Sequence, residues 1–93
     1  MKAIFNKTVV AQSDNTIAIE GNHYFPIESI HSDYFTKTTH HTTCPWKGEA
    51  SYYTLKVKDE VSENAAWSYN NPKDAANEIK NYVAFWKNVS VEE

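Results

Sequence analysis

Apolar and polar residues alternate along most of this chain, with a period of two far more often than three or four. Residues 50–58 are the clearest case: Tyr53, Leu55 and Val57 fall on one face of a strand, Tyr52, Thr54 and Lys56 on the other. After a turn at Asp59-Glu60 the chain returns over 61–69 with Ala65, Trp67 and Tyr69 on a shared face. Tyr53 and Trp67 are therefore expected in the core. Short β-branched runs at 2–6, 8–12 and 16–20 read as strands, parted by turns at Asn6-Lys7 and Ser13-Asp14-Asn15. Gly21-Asn22 allows a tight hairpin into a strand at 23–25. The threonine-dense run at 36–43 adds another, and 83–86 and 89–91 close the set.

Two stretches depart from that period. Ile27, Ile30 and Tyr34 recur at spacings of three and four after Pro26, which predicts a turn or two of helix over 27–34. Asn70-Asn71-Pro72 reads as a helix start, with Asn71 as cap, Pro72 in the first helical position and Asp74 in the first turn. Ala75, Ala76 and Ile79 continue at helical spacing, so a helix is predicted over about 72–81. The expected fold is mainly β, one antiparallel domain over residues 1–93 with a single good helix.

Composition narrows the function classes. A chain of 93 residues buries roughly two-thirds of its unfolded surface, enough for a core without disulfides. Its one cysteine forms no internal bridge and no signal peptide precedes Ala3, which fits a reducing cytoplasm. No apolar run approaches a membrane span. A net charge of −3 with scattered bases offers no face for nucleic acid. Three Trp, six Tyr and four Phe stand out, most of them after Tyr24. Aromatics of this kind fill thin β cores, or line pockets.

The chemistry concentrates in residues 36–53, which hold Cys44, His40, His41 and a Pro45-Trp46-Lys47-Gly48 turn. On a straight strand His40, Thr42 and Cys44 share one face and His41 and Thr43 the other. His40 and Cys44 are then about 13 Å apart, too far to share a zinc ion. No metal and no cofactor are expected. Cys44 reads in two ways: a small buried hydrophobe, or a nucleophile favoured by the Lys47 ammonium with His40 or His41 as base. Trp46, Tyr52, Trp67, Tyr69 and Trp86 could line an aromatic pocket beside Lys47. Cys44 and Lys47 are expected on one rim of the main cavity, with Tyr52 and at least one of the two histidines in its wall.

The run HHTTCPWKGEASYY, with HYFP at 23–26, ENAAWSYNNP at 63–72 and YVAFW at 82–86, resembles the family known as domain of unknown function 427, small and mostly bacterial proteins. Its motif residues fall on Tyr24, Pro26, His40, His41, Cys44, Pro45, Lys47, Gly48, Ser51, Tyr52, Trp67, Tyr69 and Pro72. Trp46 stands where the family often has Phe or Tyr. The resemblance implies a compact fold similar to the β-tent of Mss4 and the B-type methionine sulfoxide reductases. It brings no established activity. A nucleotidyltransferase-like label goes with the family, but no Gly-Ser and paired-aspartate pattern supports it here. Tent-fold relatives carry zinc on two CxxC pairs, and neither pair is present.

The leading expectation is a module binding a small planar or anionic ligand through Tyr24, Trp46, Lys47, Gly48, Tyr52, Trp67 and Tyr69. The alternatives are a small transferase- or hydrolase-like enzyme built on Cys44, Lys47, His40 and His41, and an interaction protein with an exposed aromatic face. In each case a monomer or weak homodimer is expected, with no nucleic-acid or membrane partner.

Overall fold

A computed structural model describes all residues, 1–93. Nine strands form two sheets: β1 (Lys2–Phe5), β2 (Thr8–Gln12), β3 (Ile17–Ile19), β4 (Asn22–Pro26), β5 (Phe35–Cys44), β6 (Gly48–Val57), β7 (Glu60–Ser68), β8 (Tyr82–Phe85) and β9 (Ser90–Glu92). The small sheet runs β2-β1-β9 and the large one β3-β4-β8-β7-β6-β5, with every strand pair antiparallel. The protein is mainly β, as the period of two predicts. Two-residue turns close β1–β2 at Asn6-Lys7 (φ 50° and 61°) and β3–β4 at Glu20-Gly21 (φ 53° and 81°). The second lies one residue earlier than the sequence suggests.

The large sheet is covered on both faces. Ala3, Phe5, Val10 and Ala11 of the small sheet pack on Phe25, Leu55, Val57, Ala65, Ala66, Val83 and Phe85. Edge-to-face rings knit this layer, Phe25 to Phe85 at 5.5 Å and Phe35 to Phe85 at 5.9 Å. The other face gathers Tyr24, Ala50, Tyr52, Tyr69 and Ala84 beneath Ala76 and Ile79. Neighbours along a strand therefore serve different layers: Tyr24 and Phe25 on β4, Ala84 and Phe85 on β8. Tyr53, Leu55 and Val57 all join the first layer. Trp67, expected in the core, is only half-buried and joins the second, while Ala65 joins the first. The β6–β7 register shifts between Ser62 and Ala66, where Asn64 takes the left-handed conformation (φ 54°), and Ala65 and Ala66 both join the first layer.

The helical stretches are present but tighter and shorter. Over 27–34 there are two 3-10 turns, Ile27–Ser29 and Ser32–Tyr34. Ile30 between them is extended (φ −84°, ψ 150°), because it bridges Ala11 while His31 N–H donates to Val10 O. In the C-terminal half a 3-10 segment spans Asp74–Ile79, kinked at Ala76 (φ −118°, ψ 20°). Its buried residues, Ala76 and Ile79, are three apart, the 3-10 repeat. Asn71 does not cap it and Pro72 does not open it; Lys73 precedes it, with no side-chain cap. The reason is tertiary. Lys73 N–H donates to Lys47 O at 2.9 Å, which holds this backbone extended against the β5–β6 turn. No helix is long and apolar enough to cross a membrane.

Candidate functional site

The β5–β6 connection is short and pinned. Cys44 and Gly48 are register partners, leaving Pro45, Trp46 and Lys47 to turn the chain. Gly48 has φ 110°, a conformation that strains any residue with a Cβ. Lys73 clamps the turn twice, by its N–H on Lys47 O and by its Nζ on Pro45 O at 2.6 Å. So held, the Lys47 side chain turns inward and keeps 8% of its exposure. Its ammonium lies 5.1 Å from the Trp46 ring centre and 5.8 Å from that of Tyr69. It pairs with the carboxylate of Glu20, at the tip of the β3–β4 hairpin.

Lys47 lines a cavity of about 190 Å³ with Tyr24, Tyr52, Trp67, Tyr69 and Trp86. Adjacent strands assemble these walls, since Tyr52 is the register partner of Trp67 and Trp67 that of Ala84. Trp67 is the central ring. It meets Tyr24 edge-on at 6.3 Å, Tyr52 at 6.4 Å and Trp86 edge-on at 6.1 Å. Its Nε1–H donates to Tyr24 Oη at 3.4 Å. Trp86 is fixed by donation of its Nε1–H to Asn64 O at 2.6 Å. The Tyr52 hydroxyl shares a 2.9 Å hydrogen bond with Thr42 Oγ1.

The electrostatics follow from burial and neighbours. Burial alone would lower the Lys47 pKa, but its hydrogen bond to the Glu20 carboxylate and the coulombic effect of Tyr24 and Tyr69 outweigh it, so it is raised. The Glu20 carboxyl is lowered, chiefly by its hydrogen bond to Lys47. Burial, reinforced by Tyr24 and partly offset by Lys47, pushes the Tyr69 phenol up to about 12, so it remains a hydrogen-bond donor. A lowered carboxyl stabilises the fold above the ordinary glutamate value of 4.5 and loses that contribution as pH falls through its folded pKa. A raised lysine contributes fully below 10.5 and loses it as pH rises through its folded pKa. The stability difference between the parent and Glu20→Gln should hence be widest between those limits and vanish towards acid. Urea midpoints across pH check this; a difference that persists at pH 2 would refute it.

Among the residues proposed from sequence, Tyr24, Lys47, Tyr52, Trp67 and Tyr69 line this cavity. Trp86, an aromatic candidate, joins them. Trp46 flanks the Lys47 ammonium without entering the wall, and Gly48 contributes backbone geometry. Cys44 is half-buried against the second layer and is not in the wall. His40 packs on the Tyr52 ring at 4.6 Å, while His41 Nδ1 meets Ala50 O at 3.3 Å and Glu49 at 3.9 Å. Neither histidine enters the wall. No three His, Cys, Asp or Glu side chains gather as a metal-binding group. Glu20 went unread in the sequence, though one signal existed: a glutamate before glycine in a turn that prefers Asn-Gly. A family model described as domain of unknown function (DUF427) matches residues 1–93, the whole chain. No curated protein matches it significantly.

Proposed function

We propose that this chain, which belongs to the domain of unknown function 427 family, is a small-molecule binding module for a planar or anionic ligand. The supporting observation is one nearly buried ammonium set among five aromatic rings around an open cavity. Lysine is rarely so enclosed unless paired or used. Ring faces accept planar groups, and the ammonium accepts an acid. The geometry favours binding over nucleophilic catalysis, because no hydrogen bond joins Cys44 to His40 or His41 and the thiol stands outside the wall. It also favours a cavity over a flat interaction patch. Trp86, 47% exposed, stands edge-on to Trp67 as a rim. The same reading includes a tent-type likeness to Mss4, a bacterial cytoplasmic setting, a single domain acting without cofactor or nucleic acid, and a monomer or weak homodimer.

The test is a thermal-shift panel of small aromatic and anionic metabolites on the parent protein, Lys47→Met and Trp67→Ala. A ligand at a hundredfold its Kd stabilises by about 2.7 kcal/mol. That raises Tm by on the order of 10 °C for a chain this size. Hits should shift the parent clearly more than either variant, each measured from its own baseline. A panel without hits, or hits indifferent to both substitutions, would remove the proposal.

A further inference from the structure

The Lys47 ammonium already holds an anion, and that anion suits its own turn poorly. Glu20 and Gly21 connect β3 to β4 with both φ values positive, 53° and 81°. Such turns prefer Asn-Gly or Gly-Gly, because a Cβ is strained in the left-handed region and only a short polar side chain such as Asn offsets that by a local hydrogen bond. Glutamate gains nothing from this geometry. What it reaches is Lys47. Its side chain is 56% exposed against 8% for the lysine, so the carboxylate comes to the ammonium from the solvent side. It marks where the acid group of a ligand would sit.

The rest of the cavity limits what that acid belongs to. Lys47 is the sole cation in the wall. The nearby Lys73 Nζ is spent on Pro45 O, and the Lys87 Nζ beside Trp86 on Glu63 O. A phosphate dianion would therefore bring a second negative charge with nothing to balance it. The wall also presents side-chain rings rather than the backbone N–H nest that phosphate sites use. At about 190 Å³ the cavity is smaller than the roughly 300 Å³ at which sites for drug-sized ligands begin. That suits one ring system and no more. Every fully buried side-chain polar atom has a partner, and the Tyr69 hydroxyl makes no hydrogen bond within the protein. Tyr69 lines the cavity, so that hydroxyl is free to donate to a second carboxylate oxygen.

Resting on the binding-module reading, we infer that the cavity takes a small aromatic monocarboxylate, whose acid group displaces Glu20 from Lys47 and whose ring lies against Trp67. Glu20 is the tethered substitute that occupies the ammonium when no ligand is bound. The inference is tested by NMR titration of ¹⁵N-labelled parent and Glu20→Gln with phenylacetate, phenylacetamide and phenyl phosphate. Phenylacetate should move the Trp67 indole and the Lys47 and Gly48 amide resonances. The neutral amide, lacking the charge-assisted contact, should bind about tenfold or more weakly. Glu20→Gln should tighten phenylacetate by up to about fivefold, the range of a half-exposed ion pair, and leave phenylacetamide unchanged. Equal binding of acid and amide, weaker acid binding in Glu20→Gln, or tighter binding of phenyl phosphate would each overturn the inference and leave the binding module standing. Cavity resonances that ignore all three probes in both proteins would remove the two readings together.

Discussion

Phe25→Ala should cost about 3–5 kcal/mol, the largest loss expected from any single truncation at the interface between the sheets. Phe25 is fully buried on β4, where Val83 is its register partner and the Phe85 ring meets its own edge-to-face at 5.5 Å. It is packed by residues from both sheets, so truncation leaves a cavity that neither sheet can close without shifting the other. Against a total of 5–15 kcal/mol this is a large share, and Tm should fall by 10 °C or more. Trp67→Ala serves as the control. Trp67 is larger, but it is half-buried and one side of it faces the cavity, so its loss opens less closed space. Urea unfolding of the two variants decides the matter. If Trp67→Ala proves the more damaging, the cavity wall is core after all.

That ordering marks the limit of what alternation can tell. Period two places Tyr52 and Tyr53 on opposite faces of β6, and the structure agrees. It is silent on what covers each face. With the small sheet on one side and the 74–79 segment on the other, both faces are buried, and only the cavity side leaves rings open. Trp67 looked like core for that reason. The strands were legible because their signal is local. The helix was less so: its start depended on the Lys73 N–H, which Lys47 O claims from a distant turn. In the site, the unusual density of thiol, ammonium and indole at 44–47 singled out the turn that carries Lys47 into the cavity wall. It did not say that Lys47 turns inward while Cys44 stays outside the wall. For Glu20 the only local hint was a glutamate before Gly21 in the hairpin turn, and its partner lay beyond reach because Lys47 is far along the chain.

Lys47→Met should separate stability from binding. The substitution keeps the length of the stem and removes the charge. The carboxylate left behind belongs to Glu20, which is more than half exposed and stays hydrated, so no buried charge is orphaned. The methionine side chain meanwhile suits the Trp46 and Tyr69 rings that flanked the ammonium. Stability should therefore change by no more than about 1 kcal/mol in either direction. Glu20→Gln makes the opposite cut: it leaves the enclosed ammonium without its counter-ion, and should be the more destabilising of the two at neutral pH. Binding should follow the reverse order. Loss of a hydrogen bond from a charged group costs about 1.5–3 kcal/mol, so an aromatic acid should bind Lys47→Met roughly 10- to 100-fold more weakly than the parent. Calorimetric titration beside urea unfolding of the same samples reads both quantities. A Lys47→Met protein that loses more than about 2 kcal/mol of stability would make this lysine a strut of the turn, held by Glu20 for the fold's sake and not for a ligand's.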